Sequence, residues 1–136
     1  MSIYSKLVCV LVFSALLILP GCGSKPAEKK SPEDELKDVM SEAIAFVEND
    51  DVKGLFEKFT PPEDLKRLKS AGELDGAVDR FNIFGKQFVE AMKEARSVSP
   101  VFNDDTTRAT YEIIDVPVPG QKVVFRKIDG KWYFSD

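Results

Sequence analysis

The chain has no histidine in its 136 residues. That removes imidazole acid–base chemistry and nearly all catalytic zinc sites, which are built mostly on histidine. Cysteine is scarce, with Cys9 and Cys22 alone. The glycines at 54, 72, 76, 85, 120 and 130 are too scattered to form a phosphate-cradling loop. Basic residues do not dominate either: 19 lysines and arginines stand against 23 acids. The basic footprint of a nucleic-acid binder is missing, so no nucleic-acid partner is expected. Lys66, Arg67 and Lys69 do cluster, but Glu63 and Asp64 precede them, which is the pattern of a solvated helix face. No apolar run reaches the roughly 20 residues of a spanning helix.

What is present begins at the amino terminus. One cation, Lys6, precedes the 13-residue run LVCVLVFSALLIL from Leu7 to Leu19, in which Ser14 is the only polar side chain. Signal-peptide apolar regions run about 7–15 residues. Pro20 and Gly21 end any helix there. Three readings fit "LILPGCGSK": a spanning anchor, an ordinary signal peptide, or a lipid attachment site.

LPGC resembles the lipobox of bacterial lipoproteins. Leu19, Gly21 and Cys22 fit that pattern, while Pro20 stands where the family usually has a small or β-branched residue. The resemblance implies cleavage before Cys22 and acylation of that cysteine. Cys9 would leave with residues 1–21, so acylation also accounts for one odd cysteine in an exported chain. The implied partner is a membrane, held through acyl chains on Cys22. The implied location is the outside of a cell membrane, or the outer membrane or periplasmic face where the source has two membranes. Residues 22–32 contain GSKPAEKK, a short polar tether.

Residues 33–136 read as a single α+β domain. In "SPEDEL", Ser31 caps, Pro32 takes the first helical position and acids fill the first turn. The stripe Leu36, Met40, Ile44 and Val47 predicts a helix from Pro32 to Glu48. "NDD" at 49–51 breaks it and caps a second helix carrying Val52, Leu55, Phe56 and Phe59. Thr60 and Glu63 have capping-box spacing and predict a third helix ending near Ser70–Gly72. A long helix is expected over Leu74–Arg96, its apolar stripe formed by Val78, Phe81, Phe84, Phe88, Met92 and Ala95. Strands are expected at Ser97–Phe102, Thr106–Val116, Lys122–Ile128 and Lys131–Ser135.

Asp129-Gly130 is a two-residue hairpin turn. It sets Phe125 opposite Phe134, Arg126 opposite Tyr133, and Lys127 opposite Trp132. Alternation then points Val123, Phe125, Trp132 and Phe134 to the helices, and Val124, Arg126, Ile128, Lys131 and Tyr133 away. Ala109, Tyr111 and Ile113 join the inward face. A stacking pair of Arg126 on Tyr133 is expected on the outward face.

"AFVENDDVKGLFEKFTPPEDLKRL" and "VVFRKIDGKWYFSD" resemble the opening helices and final hairpin of the cystatin-like, nuclear-transport-factor-2-like superfamily. That resemblance implies a curved antiparallel sheet of about four strands wrapped on helices as a cone. Residues 70–77, SAGELDGA, leave no room for a further strand pair. The superfamily includes isomerases, cyclases, transport factors and lipoproteins of no assigned activity, so no catalytic residue carries over.

Three functions remain. The first is a non-enzymatic, lipid-anchored envelope domain that binds a small apolar ligand or a protein, with Phe84, Phe88, Tyr111 and Trp132 as candidate pocket lining. The second is a small isomerase or cyclase using a buried carboxylate, for which Tyr111, Glu112 and Asp115 are on a suitable strand. The third is an assembly domain using the sheet face around Arg126 and Tyr133. No metal or cofactor is expected: Asn49-Asp50-Asp51 and Asn103-Asp104-Asp105 lack the alternating spacing of a calcium loop.

Overall fold

A computed structural model describes residues 28–136. The signal-like segment and Cys22 lie outside the described residues. Four helices precede a four-stranded antiparallel sheet of strand order β1-β2-β3-β4. The helices are α1 (Pro32–Glu48), α2 (Val52–Phe59), α3 (Pro62–Ser70) and α4 (Leu74–Ser97). The strands are β1 (Val101–Phe102), β2 (Arg108–Glu112), β3 (Lys122–Ile128) and β4 (Lys131–Ser135). This is the expected α+β class.

Local chemistry explains most boundaries. The Ser31 hydroxyl accepts from the Asp34 amide at 3.1 Å and opens α1. The Asp51 carboxylate accepts from the Gly54 amide at 2.9 Å and opens α2. A Cβ on Gly54 would run into that same carboxylate and the Phe46 ring, which is why the position is bare. One expected cap is corrected. Pro61, not Thr60, is the N-cap of α3, and no side chain caps it. The Thr60 amide instead closes α2 by donating to the Phe56 carbonyl.

The strands before the hairpin are shorter than expected. β2 stops at Glu112 because the next amides leave the ladder: Ile114 N–H and Asp115 N–H both donate to the Glu94 carboxylate on α4. Pro117 and Pro119, with no N–H to give, keep the chain out of the sheet until Lys122. The hairpin register is as expected, with Phe125 opposite Phe134, Arg126 opposite Tyr133 and Lys127 opposite Trp132. Asp129 (φ 50°) and Gly130 (φ 79°) both take the positive φ of that turn.

α1 and α4 cover one face of the sheet. Between them lies a continuous core built on Leu36, Met40, Met92, Tyr111, Ile113 and Phe125. A second cluster of Ala43, Leu55 and Phe59 locks α2 beneath α1. Among the described residues, the buried core members run from Leu36 to Trp132 and form connected clusters. Of the expected α4 stripe, Met92 and Ala95 are buried, whereas Phe84 stays 57 % exposed, beside Ile83 at 76 %, which is not one of the stripe. The buried line runs through Leu74, Gly85, Val89, Ala91, Met92 and Ala95. α4 is apolar over more than one face, and the contact with α1 selects the face that carries Gly85, which sits against Val47.

Candidate functional site

The site begins with an unequal hairpin. β3 has seven residues and β4 five, and their pairing ends at Val124 opposite Ser135. Lys122 and Val123 therefore run on past the end of β4. α4 crosses above this overhang and leaves a groove of about 670 Å³. Its apolar walls include Phe81, Phe84, Phe88 and Met92 from α4, with Val123 and Phe134 from the sheet. Gln87, Gln121 and Ser135 give polar atoms at its borders, and Lys122 is its only charged lining residue among the described residues.

The far wall is the segment from Pro117 to Gln121. Two prolines fix φ at alternate positions. The Gln121 amide donates to the Val118 carbonyl at 3.0 Å, and the Ile113 amide donates to the Gln121 carbonyl at 2.9 Å. Gln121 sits at φ 52° beside Gly120 at φ 68°. Left-handed backbone at a non-glycine residue costs of order 1 kcal/mol or more and is kept only where the surroundings impose it. The aromatic wall is equally fixed. Ring centroids lie 4.9 Å apart for Phe81–Phe88 and 5.4 Å for Phe88–Phe134, both edge contacts, and 5.0 Å for the tilted pair Phe134–Phe125, so a chain of ring contacts ties the groove to the core.

The four residues expected to line one pocket are divided by the structure. Phe84 and Phe88 line this groove. Tyr111 is fully buried in the core. Its hydroxyl is the one buried side-chain polar atom among the described residues with no hydrogen-bond partner. Burial, and to a lesser extent the negative charge of Glu33, push its pKa up to about 12. Tyr111 thus stays a neutral phenol through the physiological range. Glu112 and Asp115 are exposed, so the tyrosine and the two carboxylates do not form one site.

Trp132 lies at the other end of the hairpin. Its Nε1–H donates to the Glu35 carboxylate at 3.0 Å. Lys127 Nζ donates to the same carboxylate at 2.7 Å and lies 5.2 Å from the Trp132 ring centroid. The Lys127 hydrogen bond is the main reason the Glu35 carboxyl titrates below its usual range; burial opposes it, and Trp132 assists. A depressed carboxylate pKa stabilises the fold above the ordinary glutamate range, and that contribution fades as pH falls through it. This clamp ties the first turn of α1 to the last hairpin.

Arg126 and Tyr133 are opposite each other on the uncovered face, as expected. The expected stacking pair is not among the cation–π contacts of the described residues, which involve only Lys58 and Lys127. Sequence reading missed Gln87, Gln121 and Lys122 as groove residues, and Glu35, Glu94 and Lys127 as clamps. For Lys127 a signal existed. The hairpin register already set it opposite inward-facing Trp132, so it had to share that face. For the others nothing local marks them, because each acts on a segment distant in the chain.

Among the described residues, no helix is long and apolar enough to cross a membrane, and no cluster of three metal-ligating side chains occurs. No family model, curated protein or solved structure matches the chain.

Proposed function

We propose that this protein is a lipid-anchored, non-enzymatic envelope domain that holds a small apolar ligand in the groove between α4 and the β3 overhang. The observation that carries the reading is the groove itself. Its 670 Å³ falls inside the ordinary range for small-molecule sites, about 300–1,000 Å³. Its walls are aromatic and aliphatic, and its far side is braced by two prolines. Phe84 stands more than half exposed at its rim, as an aromatic does where something is to cover it. The anchor rests on the lipobox-like LPGC sequence, with Cys22 as the attachment point.

Two measurements test the two halves. The apolar fluorophore 1-N-phenylnaphthylamine, titrated into residues 28–136, is expected to bind saturably. Gln87→Trp places an indole in the groove from an exposed position and is expected to weaken binding at least tenfold, about 1.4 kcal/mol. Non-saturable binding, or binding that Gln87→Trp leaves unchanged, overturns the groove reading. For the anchor, cells making the full chain are fed an alkyne fatty acid. Incorporation is expected and is abolished by Cys22→Ser; label that survives the substitution sinks the anchor.

A further inference from the structure

We infer that the uncovered face of the sheet is a docking surface for the anionic headgroups of the bilayer. The strand register decides which side chains share this face. Arg108 is opposite Arg126, Glu112 opposite Lys122, Arg126 opposite Tyr133, and Ile128 opposite Lys131. The face therefore carries four cations, Arg108, Lys122, Arg126 and Lys131, against one strand carboxylate, Glu112. The chain as a whole is net −4, so this concentration runs against its composition.

All four cations are exposed. None takes part in the ion pairs found among the described residues, which instead join Lys30, cations of all four helices and the inward-facing Lys127 to nearby acids. Arg108 donates one hydrogen bond, to the Asp136 main-chain oxygen at 2.8 Å. Acids border the face rather than occupy it: Asp129 in the turn, Asp136 beyond β4, Asp64 of α3 in the depression that Arg126 lines, and Asp38, Glu42 and Glu57 in the one that Lys131 and Tyr133 line. Like charges directly opposite on neighbouring strands destabilise a sheet, and Arg108 faces Arg126. An external anion between them reverses the sign of that contact. Tyr133 and Val124, half-buried on the same face, and Val101, 68 % exposed, add the aromatic and aliphatic surface suited to a headgroup layer.

The occupant follows from where the chain leads. This step rests on the lipid-anchor reading above. Eight residues lie between Cys22 and Ser31, so the nine steps from one to the other reach at most about 30 Å. Glu35, bound to Lys127 and Trp132, sets the start of α1 beside the hairpin end of the sheet. A sheet is only about 10 Å from the layer packed on it, so the tether is long enough to let the domain lie sheet-down on the bilayer. A juxtamembrane cation adds attraction to an anionic leaflet that falls off within a Debye length.

The test uses residues 28–136, which carry the core clusters described above and need no anchor. Sedimentation with vesicles of phosphatidylglycerol and phosphatidylcholine is expected to carry the domain down at low salt. Vesicles of phosphatidylcholine alone are not. Arg126→Gln/Lys131→Gln is expected to weaken partitioning roughly 25-fold, about fivefold for each cation lost. Lys86→Gln/Lys93→Gln on α4 removes the same charge elsewhere and should change it less than twofold. Equal binding to both vesicle types, or an equal loss in the α4 pair, overturns the inference. So does concentration-dependent dimerisation that the Arg126/Lys131 pair abolishes, which assigns the face to a second copy. Failure here leaves the acyl-label result untouched, so docking and anchoring fail separately.

Discussion

Phe125→Ala is expected to remove about 3–5 kcal/mol of stability, a large part of what a domain of this size has. The ring is fully buried at the middle of β3, with Ala109 and Phe134 as its cross-strand neighbours. It meets Tyr111 edge-on at 5.9 Å and Phe134 at 5.0 Å. Truncation removes those contacts and leaves a cavity between the sheet and the two covering helices, where a β-strand cannot collapse without losing its register. In thermal unfolding followed by circular dichroism, a fall in midpoint on the order of 15–20 °C corresponds to that loss. A change under about 1.5 kcal/mol would show that the ring is not enclosed. Phe84→Ala is the internal comparison. It is the same change in a residue 57 % exposed, and surface substitutions usually stay within about 0.5 kcal/mol. The contrast separates a phenylalanine enclosed in the core from one exposed at the groove's rim.

Tyr111→Phe is expected to act in the opposite direction and stabilise the protein by about 1–2 kcal/mol. A buried hydroxyl without a partner carries a desolvation penalty of about 1–3 kcal/mol. The Tyr111 hydroxyl is in that position, while its ring is packed on Phe125. Phenylalanine keeps the ring and removes the penalty. Urea unfolding of both forms measures the difference as a shift in midpoint at unchanged slope. A loss of stability would mean that the hydroxyl has a partner in solution. The result also bears on the enzyme alternative. A tyrosine that improves the fold when its hydroxyl is deleted is a packing residue carrying an unused polar atom. If the variant is more stable and still binds the fluorophore as tightly, the groove operates without Tyr111.

How far the sequence could be read follows from the range of the forces involved. Helix starts at Ser31 and Asp51 were legible because a cap and its amide are three residues apart. The hairpin was legible because Asp129-Gly130 demands positive φ, and a two-residue turn leaves one register. Thr60 misled because its spacing to Glu63 matches a capping box, while the preceding helix claims its amide first. The orientation of α4 was only half legible. A helix with apolar residues on more than one face can turn either of them inward, and only the place of α1 settles the choice. The groove was not legible. It depends on β3 starting two residues beyond its pairing with β4, on the proline-braced segment 117–121, and on α4 lying across both.

The sequence by itself determined the element order, the α+β class, the hairpin register and which side of the last two strands faces inward. These are set by contacts a few residues apart and by a side-chain period of two. The tertiary structure alone decided that Phe84 stays exposed, that Glu35 joins Lys127 and Trp132, and that Glu94 ends β2. It also brought Arg108 beside Arg126 on the open face. Each of these joins segments many residues apart, and such pairings are specified by how whole faces pack, a quantity no local pattern contains.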